Sequence, residues 1–210
     1  MPYLGELRIA LLGVGTIGRE LIRRTMAKPS YRYVALADKS GVLVSDEGFS
    51  EHELSQLIKL KDAGGKLRDY QGDHECYNDI YSLLQNSQVD ALVDVTDYQT
   101  YDLLFQALEQ AHVVTSNKVP IADIPFYQFE RLLSKSRNEG KLLDIGTTVG
   151  AGLRVPDLIE RLSCDGIEGV AGCLSGTMNY ISQRINEGKP LSTALQEAMS
   201  PPRNYTEPDP

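Results

Sequence analysis

The chain has 210 residues, is 41% hydrophobic and 24% charged, and carries a formal net charge of −8. That length supports one large domain or two modest ones with a real core. The acidic balance argues against nonspecific nucleic-acid binding, and no apolar run approaches the roughly 18 residues of a membrane span.

Residues 7–12 are an apolar run that predicts a first strand. It leads straight into Gly13-x-Gly15-x-x-Gly18. Ile17, Leu21, Ile22 and Met26 then recur at helical spacing until Pro29-Ser30 stops the helix. Residues 31–37 predict a second strand ending at Asp38. The polar stretch 39–75 resists assignment beyond a short helix near Glu51–Lys61 and a turn at Gly64-Gly65. Residues 79–84 predict a short helix and 90–96 a strand. Leu103, Leu104, Ala107, Leu108 and Ala111 form one helix face, 112–115 the next strand, and Phe126, Phe129 and Leu133 a further helix face. Residues 141–144 are short and strand-like. Strands alternating with helices of these lengths predict an α/β fold, a doubly wound Rossmann-type parallel sheet. The pattern changes near residue 150. Gly150-Ala-Gly152 reads as a hinge, followed by a helix over 154–162, a strand over 169–174, and helices over 178–186 and 192–199. This second part reads as an incomplete α+β substrate domain, so the expected division is 1–149 and 150–210.

The strand–turn–helix context makes the three glycines a dinucleotide-binding fingerprint. Gly13 permits the tight turn, Gly15 lets the backbone approach a pyrophosphate, and Gly18 brings the helix close to the strand. The helix start at Thr16 and Ile17 offers free N–H groups and the positive dipole end to phosphates. Asp38, about twenty residues on, stands where a carboxylate accepts hydrogen bonds from the adenosine ribose. Lys39 beside it suits a 2′-phosphate, which leaves NADP and NAD both open. Thr96 ends a strand at the carboxyl edge, where its hydroxyl would line the nicotinamide side. Thr115-Ser116-Asn117-Lys118 hands polar groups to the same edge, and Lys118 suits stabilisation of an oxyanion or proton transfer. Ser175-Gly176-Thr177 presents small donors near a helix start, suited to a carboxylate. Tyr205-x-Glu207-x-Asp209 offers acidic groups to an ammonium. Cys76, Cys164 and Cys173 are odd in number and lack metal-ligand spacing, so they are expected as packed, reduced thiols in a cytoplasmic protein. His52, His74 and His112 are scattered and read as structural or solvated.

Taken in order, these segments resemble homoserine dehydrogenase over nearly the whole chain. The family pattern comprises the Gly13, Gly15, Gly18 turn and a Thr-x-Asn-Lys strand end at Thr115, Asn117 and Lys118. It continues with a Val-Gly-x-Gly hinge at Val149, Gly150 and Gly152 and a Ser-Gly-Thr-x-Asn-Tyr-Ile element at 175–181. A Tyr-x-Glu-x-Asp-Pro element follows at Tyr205, Glu207, Asp209 and Pro210. The resemblance implies nicotinamide-dependent interconversion of aspartate 4-semialdehyde and homoserine, in threonine and methionine synthesis. It implies Lys118 as the catalytic group, and Gly176, Thr177, Tyr205 and Glu207 as substrate ligands. The cofactor would lie on Gly13, Gly15, Thr16, Ile17, Gly18, Asp38, Lys39, Thr96, Ser116, Asn117 and Lys118. It also implies a monovalent cation on the carbonyls of Val149, Ala151 and Leu153, and a homodimer where the family's C-terminal portion is present.

The departures bear on activity. The family pattern leads past Asp-Pro into an Asp and a Lys that bind the substrate amine and serve proton transfer; the sequence stops at Pro210, before both. Gly146 stands where the family has a Glu for the cation, and Asn204 where it has Gly. Two other readings remain: a truncated, catalytically weak nucleotide-binding relative, and another amino-acid dehydrogenase such as an aspartate dehydrogenase.

Overall fold

The structure, a computed structural model, describes residues 5–72, 74–85, 88–201 and 205. The chain divides into two compact units, Met1–Ile145 and Gly146–Pro210.

The first unit is built on a seven-stranded sheet. Strand β1 (Leu7–Leu12) runs into helix α1 (Thr16–Thr25), then β2 (Tyr31–Asp38), β3 (Gly41–Val44), α2 (Glu51–Asp62) and β4 (Glu75–Tyr77). The chain continues through α3 (Ser82–Gln85), β5 (Ala91–Asp94), α4 (Tyr101–Ala107), β6 (His112–Thr115), α5 (Val119–Ala122), α6 (Phe126–Asn138) and β7 (Leu143–Asp144). The strand order is β4-β3-β2-β1-β5-β6-β7. β1 pairs in parallel with β2 on one side and with β5 on the other. The chain therefore builds outward from β1, returns, and builds outward again, which opens a crevice at the carboxyl ends of β1 and β5.

Period-2 alternation explains why both sheet faces are covered. Ala10 and Leu12 of β1 join one core with Leu83, Leu92, Leu104 and Leu132, under α3, α4 and α6. Ile9 and Leu11 join the other with Ile22, Leu36, Leu54 and Leu57, under α1 and α2. In the pairing of β1 with β2, Ile9 faces Tyr33 and Ala10 faces Ala35, so Val34 is a bulged extra residue.

Two features of this unit depart from expectation. The sheet is mixed rather than parallel throughout, because β3 and β4 add antiparallel strands at one edge. Asp38 pairs with Gly41 across a two-residue turn, and the Asp38 carboxylate accepts from the backbone N–H of Ser40, which tightens the reversal. The helix at 126–138 has the expected period but a different phase. Phe126 is 72% exposed, whereas Leu132 and Ser136 face the core.

In the second unit a 3-10 turn (Ala151–Leu153) precedes α7 (Val155–Leu162), followed by α8 (Gly176–Asn186) and α9 (Leu191–Met199). Ile181 of α8 packs on Ala194 and Ala198 of α9, with Tyr180, Leu195 and Tyr205 around them. The strand expected over 169–174 does not form. Those residues are irregular and exposed, and among the described residues this unit has no strand for them to pair with. The three cysteines are all exposed free thiols, not packed ones. Among the described residues no helix is long and apolar enough to cross a membrane.

Candidate active site

The glycine turn lies at the carboxyl end of β1, against the segment that leaves β5. Gly13 has φ +105°, a conformation that disfavours side chains, and a Cβ there would lie 3.0 Å from Thr96 Cγ2 and 3.1 Å from the Val95 carbonyl. A methyl group at Gly18 would run into the Gly13 carbonyl oxygen. The turn and the first helical turn are thus in backbone contact. Gly15 differs, because a Cβ there would meet nothing within 4 Å. Its open side is the approach to the N-terminus of α1, where no side chain caps the helix and no acidic residue stands in the first turn. Free N–H groups, a dipole end and an unobstructed backbone fit the diphosphate of a dinucleotide. Thr16 and Ile17 lie exposed on this first turn, Ile17 at 60% despite its apolar side chain.

Asp38 ends β2 on the same edge. Oδ1 accepts from the Ser40 N–H (2.7 Å) and hydroxyl (2.6 Å), and Oδ2 lies 2.5 Å from Lys61 Nζ. Burial alone would raise the Asp38 carboxyl. The Lys61 ammonium and the two Ser40 donors outweigh it and hold the group below the usual carboxylate range. Lys61, on the last turn of α2, was not singled out from the sequence, since 23 residues separate it from Asp38. Lys39, by contrast, is exposed, its Nζ 4.0 Å from Asp97.

A buried polar cluster closes the carboxyl ends of β5 and β6. Asp94 is fully buried. Its Oδ1 accepts from the Thr96 N–H (2.9 Å) and hydroxyl (2.7 Å). Its Oδ2 accepts from the Thr100 hydroxyl (2.7 Å) and Asn117 Nδ2 (3.2 Å), with the Thr115 hydroxyl at 3.5 Å. Asn117 is 2% exposed; its amide nitrogen also reaches Thr96 Oγ1 (2.9 Å) and the Tyr98 carbonyl (2.7 Å), and its Oδ1 accepts from the Val119 N–H (3.0 Å). The Asn117 side chain is therefore turned inward. Ser116 is half-buried and donates its N–H to the Asp94 carbonyl, and Lys118 is exposed as the N-cap residue of α5. Burial, then the nearby charges of Asp94, Asp97 and Asp38, push the Tyr98 hydroxyl up. The structure brings Gly13 together with Thr96, and Thr96 with Asn117, at the mouth of the crevice. A separate cavity of about 300 Å³ lies at the opposite, amino edge, lined by strand starts that include Tyr31, Asp90 and His112, and is not part of this site.

In the second unit, Ser175 caps α8 by accepting from the Met178 N–H at 3.2 Å. Thr177 is buried, and the Tyr205 hydroxyl lies 3.8 Å from where a Cβ on Gly176 would stand. Gly176, Thr177 and Tyr205 are thus gathered at the start of α8. Glu207, with Asn204, Asp209 and Pro210, lies outside the described residues. Two of the three carbonyls expected to hold a cation already accept one hydrogen bond each. The carbonyl of Val149 accepts from Val155 N–H and that of Ala151 from Arg154 N–H, closing the 3-10 turn on itself. A Cβ at Gly146 would lie 2.5 Å from Asp157 Oδ1 and 2.7 Å from the Arg154 guanidinium, a pair joined at 2.5 Å. A side chain at Gly146 would displace the ends of these two flexible side chains, and among the described residues no three His, Cys, Asp or Glu side chains are gathered for a metal.

The model of the family described as "Homoserine dehydrogenase, NAD binding domain" matches residues 13–143. The chain belongs to the homoserine dehydrogenase family. A second model, homoserine dehydrogenase, matches residues 155–210. The homoserine dehydrogenase of Pyrococcus horikoshii is 29% identical over 204 residues, covering 93% of this chain and 61% of its own. That of Methanocaldococcus jannaschii is 28% identical over 207 residues, covering 90% and 59%. Among solved structures, a hyperthermophilic archaeal homoserine dehydrogenase in complex with NADPH superposes with a TM-score of 0.72 at 26% identity, covering 92% of this chain and 60% of that one. The chain therefore spans about three fifths of the length of the homoserine dehydrogenases it matches.

Proposed function

We propose that the chain carries the cofactor-binding part and a portion of the substrate-binding part of an NAD(P)-dependent homoserine dehydrogenase, an oxidoreductase that interconverts aspartate 4-semialdehyde and homoserine. The observation that carries this reading is the glycine turn at the β1–β5 crevice, with Gly15 open, Asp38 at the neighbouring strand end and Thr96 against Gly13. NADP is the preferred cofactor. The archaeal structure similar to this chain is a complex with NADPH, and Lys61 beside Asp38 offsets the carboxylate charge that would otherwise repel a 2′-phosphate.

The bound nicotinamide supplies or accepts the hydride. The N–H groups at the start of α1 hold the diphosphate, and Asp38 with Lys61 receives the adenosine ribose end. Thr96 lines the nicotinamide side. Lys118 offers positive charge to the alkoxide that develops at the aldehyde oxygen, and a proton to that oxygen in the reductive direction. Gly176, Thr177, Tyr205 and Glu207 hold the amino-acid end. The reading includes a cytoplasmic protein in amino-acid synthesis that works as a homodimer.

Two measurements on the chain test this. NADPH and NADH fluorescence titrations are expected to show binding, tighter for NADPH. Oxidation of NADPH with aspartate 4-semialdehyde is expected to exceed that with aspartate precursors such as oxaloacetate and ammonia. Absence of binding removes the reading. Binding with preferred turnover of oxaloacetate and ammonia replaces it with an aspartate dehydrogenase.

A further inference from the structure

Asp94, on the crevice edge, is a carboxylate with no exposed surface. A buried carboxylate is expensive, and an apolar residue would complete β5 without that expense. Among the described residues every partner of Asp94 is neutral: Thr96, Thr100, Thr115 and Asn117. These partners come from four places in the chain. Thr96 follows β5, Thr100 precedes α4, Thr115 ends β6, and Asn117 precedes α5. The carboxylate therefore ties together the loop starts that form the edge of the crevice.

The link to Lys118 runs through Asn117. The Val119 N–H donates to Asn117 Oδ1, which fixes the carboxamide with its nitrogen toward Asp94. Val119 is the first residue of α5 and Lys118 its N-cap. The backbone of Lys118 is held between an Asn117 side chain locked by Asp94 and the Val119 N–H locked by Asn117.

We infer that Asp94 is a positioning residue for the reaction, setting Lys118 through Asn117 and the hydroxyl of Thr96 directly. The inference rests on the reading of Lys118 as the group that serves the reacting oxygen. Asp94→Asn keeps the shape but replaces one acceptor oxygen by an NH2 group. Placed toward Oδ2's partners, that NH2 opposes the Asn117 amide nitrogen; placed toward Oδ1's, it opposes the Thr96 N–H. Either way a donor faces a donor.

The test compares wild type, Asp94→Asn, Thr100→Val and, as a distant control, Ser136→Ala, which removes a buried hydroxyl bonded to the Lys141 carbonyl. Amide hydrogen exchange at Val119 and the NMR signal of 13C-methylated Lys118 are read with NADPH affinity, kcat and KM. In Asp94→Asn, Val119 exchange is expected to rise at least about tenfold and the Lys118 signal to move. NADPH affinity should stay within about threefold, and kcat should fall about a hundredfold with little change in KM, the scale of a small misplacement at a reacting group. Thr100→Val, which removes one donor only, is expected to move the same readouts by a smaller factor, and it carries the test should Asp94→Asn fail to fold. Unchanged Val119 exchange and Lys118 signal in both variants overturns the inference, as does an equal response in Ser136→Ala. If wild type neither binds NADPH nor turns over, the functional reading fails, while the exchange and NMR arms still decide whether Asp94 sets Lys118.

Discussion

Replacing Lys61 by Met tests the account of the Asp38 strand end most directly. Asp38 and Lys61 sit 2.5 Å apart with side chains only 12% and 16% exposed. A unit charge pair near a protein surface is worth about 4 kcal/mol at ~4 Å, before desolvation is subtracted. Removing one member of a fully buried pair costs about 3–5 kcal/mol, because the other charge is left uncompensated. Here Ser40 still donates twice to Asp38, and the remaining exposure admits water, so Lys61→Met is expected to cost about 2 kcal/mol at neutral pH. The pH dependence has a defined sign. The Asp38 carboxyl is lowered in the folded protein, so its stabilisation is complete above the unfolded carboxylate value of about 3.9 and is lost as pH falls through the folded value. The difference between wild type and Lys61→Met should therefore be level from about pH 6 to about pH 8 and shrink below about pH 4. Urea unfolding followed by circular dichroism gives this directly, and a cycle with Asp38→Asn isolates the pair. A loss under about 0.5 kcal/mol at neutral pH, or no coupling in the cycle, refutes the reasoning.

Three further outcomes follow from the same geometry. Gly15→Val fills the open side of the turn and should abolish NADPH binding while leaving the unfolding free energy within about 1 kcal/mol of wild type; unchanged affinity by fluorescence titration removes the cofactor from this turn. Gly18→Ala pushes a methyl into the Gly13 carbonyl and should cost at least about 2 kcal/mol in urea unfolding, since backbone rather than a flexible side chain must yield. Ser50→Ala removes the reciprocal cap in which Ser50 accepts from Glu53 N–H and Glu53 accepts from Ser50 N–H, and should cost about 1 kcal/mol with no effect on cofactor affinity.

What the sequence made legible was local. The run from β1 into Gly13, Gly15 and Gly18 is continuous in the chain, so its strand, turn and helix appear where the pattern puts them. β3 escaped notice because four apolar residues, Gly41–Val44, are embedded in a polar stretch, and pairing through a two-residue turn at Lys39-Ser40 leaves little pattern to read. The Asp-x-Ser-Gly string at 38–41 was the available signal. The opposite holds at 169–174, where Val170 and Leu174 alternate as in a strand but, among the described residues, no neighbouring strand accepts their hydrogen bonds. The 126, 129, 133 spacing marks the period of α6 but not its phase, because Phe126 is exposed and Leu132 and Ser136 set the inward face. Lys61 and Asp94 could not be assigned from spacing, since their meaning comes from residues brought near by folding. Asp94 did leave a trace, as a carboxylate inside the apolar run 91–95 with threonines two and six positions on.

The two outermost strands of the sheet, β4 with three residues and β7 with two, are its shortest. A stray extended segment arriving at either border would find few unpaired backbone groups to zip onto. The long, well-formed strands that could template such an encounter are fenced into the middle, which guards the sheet against lateral growth into aggregates.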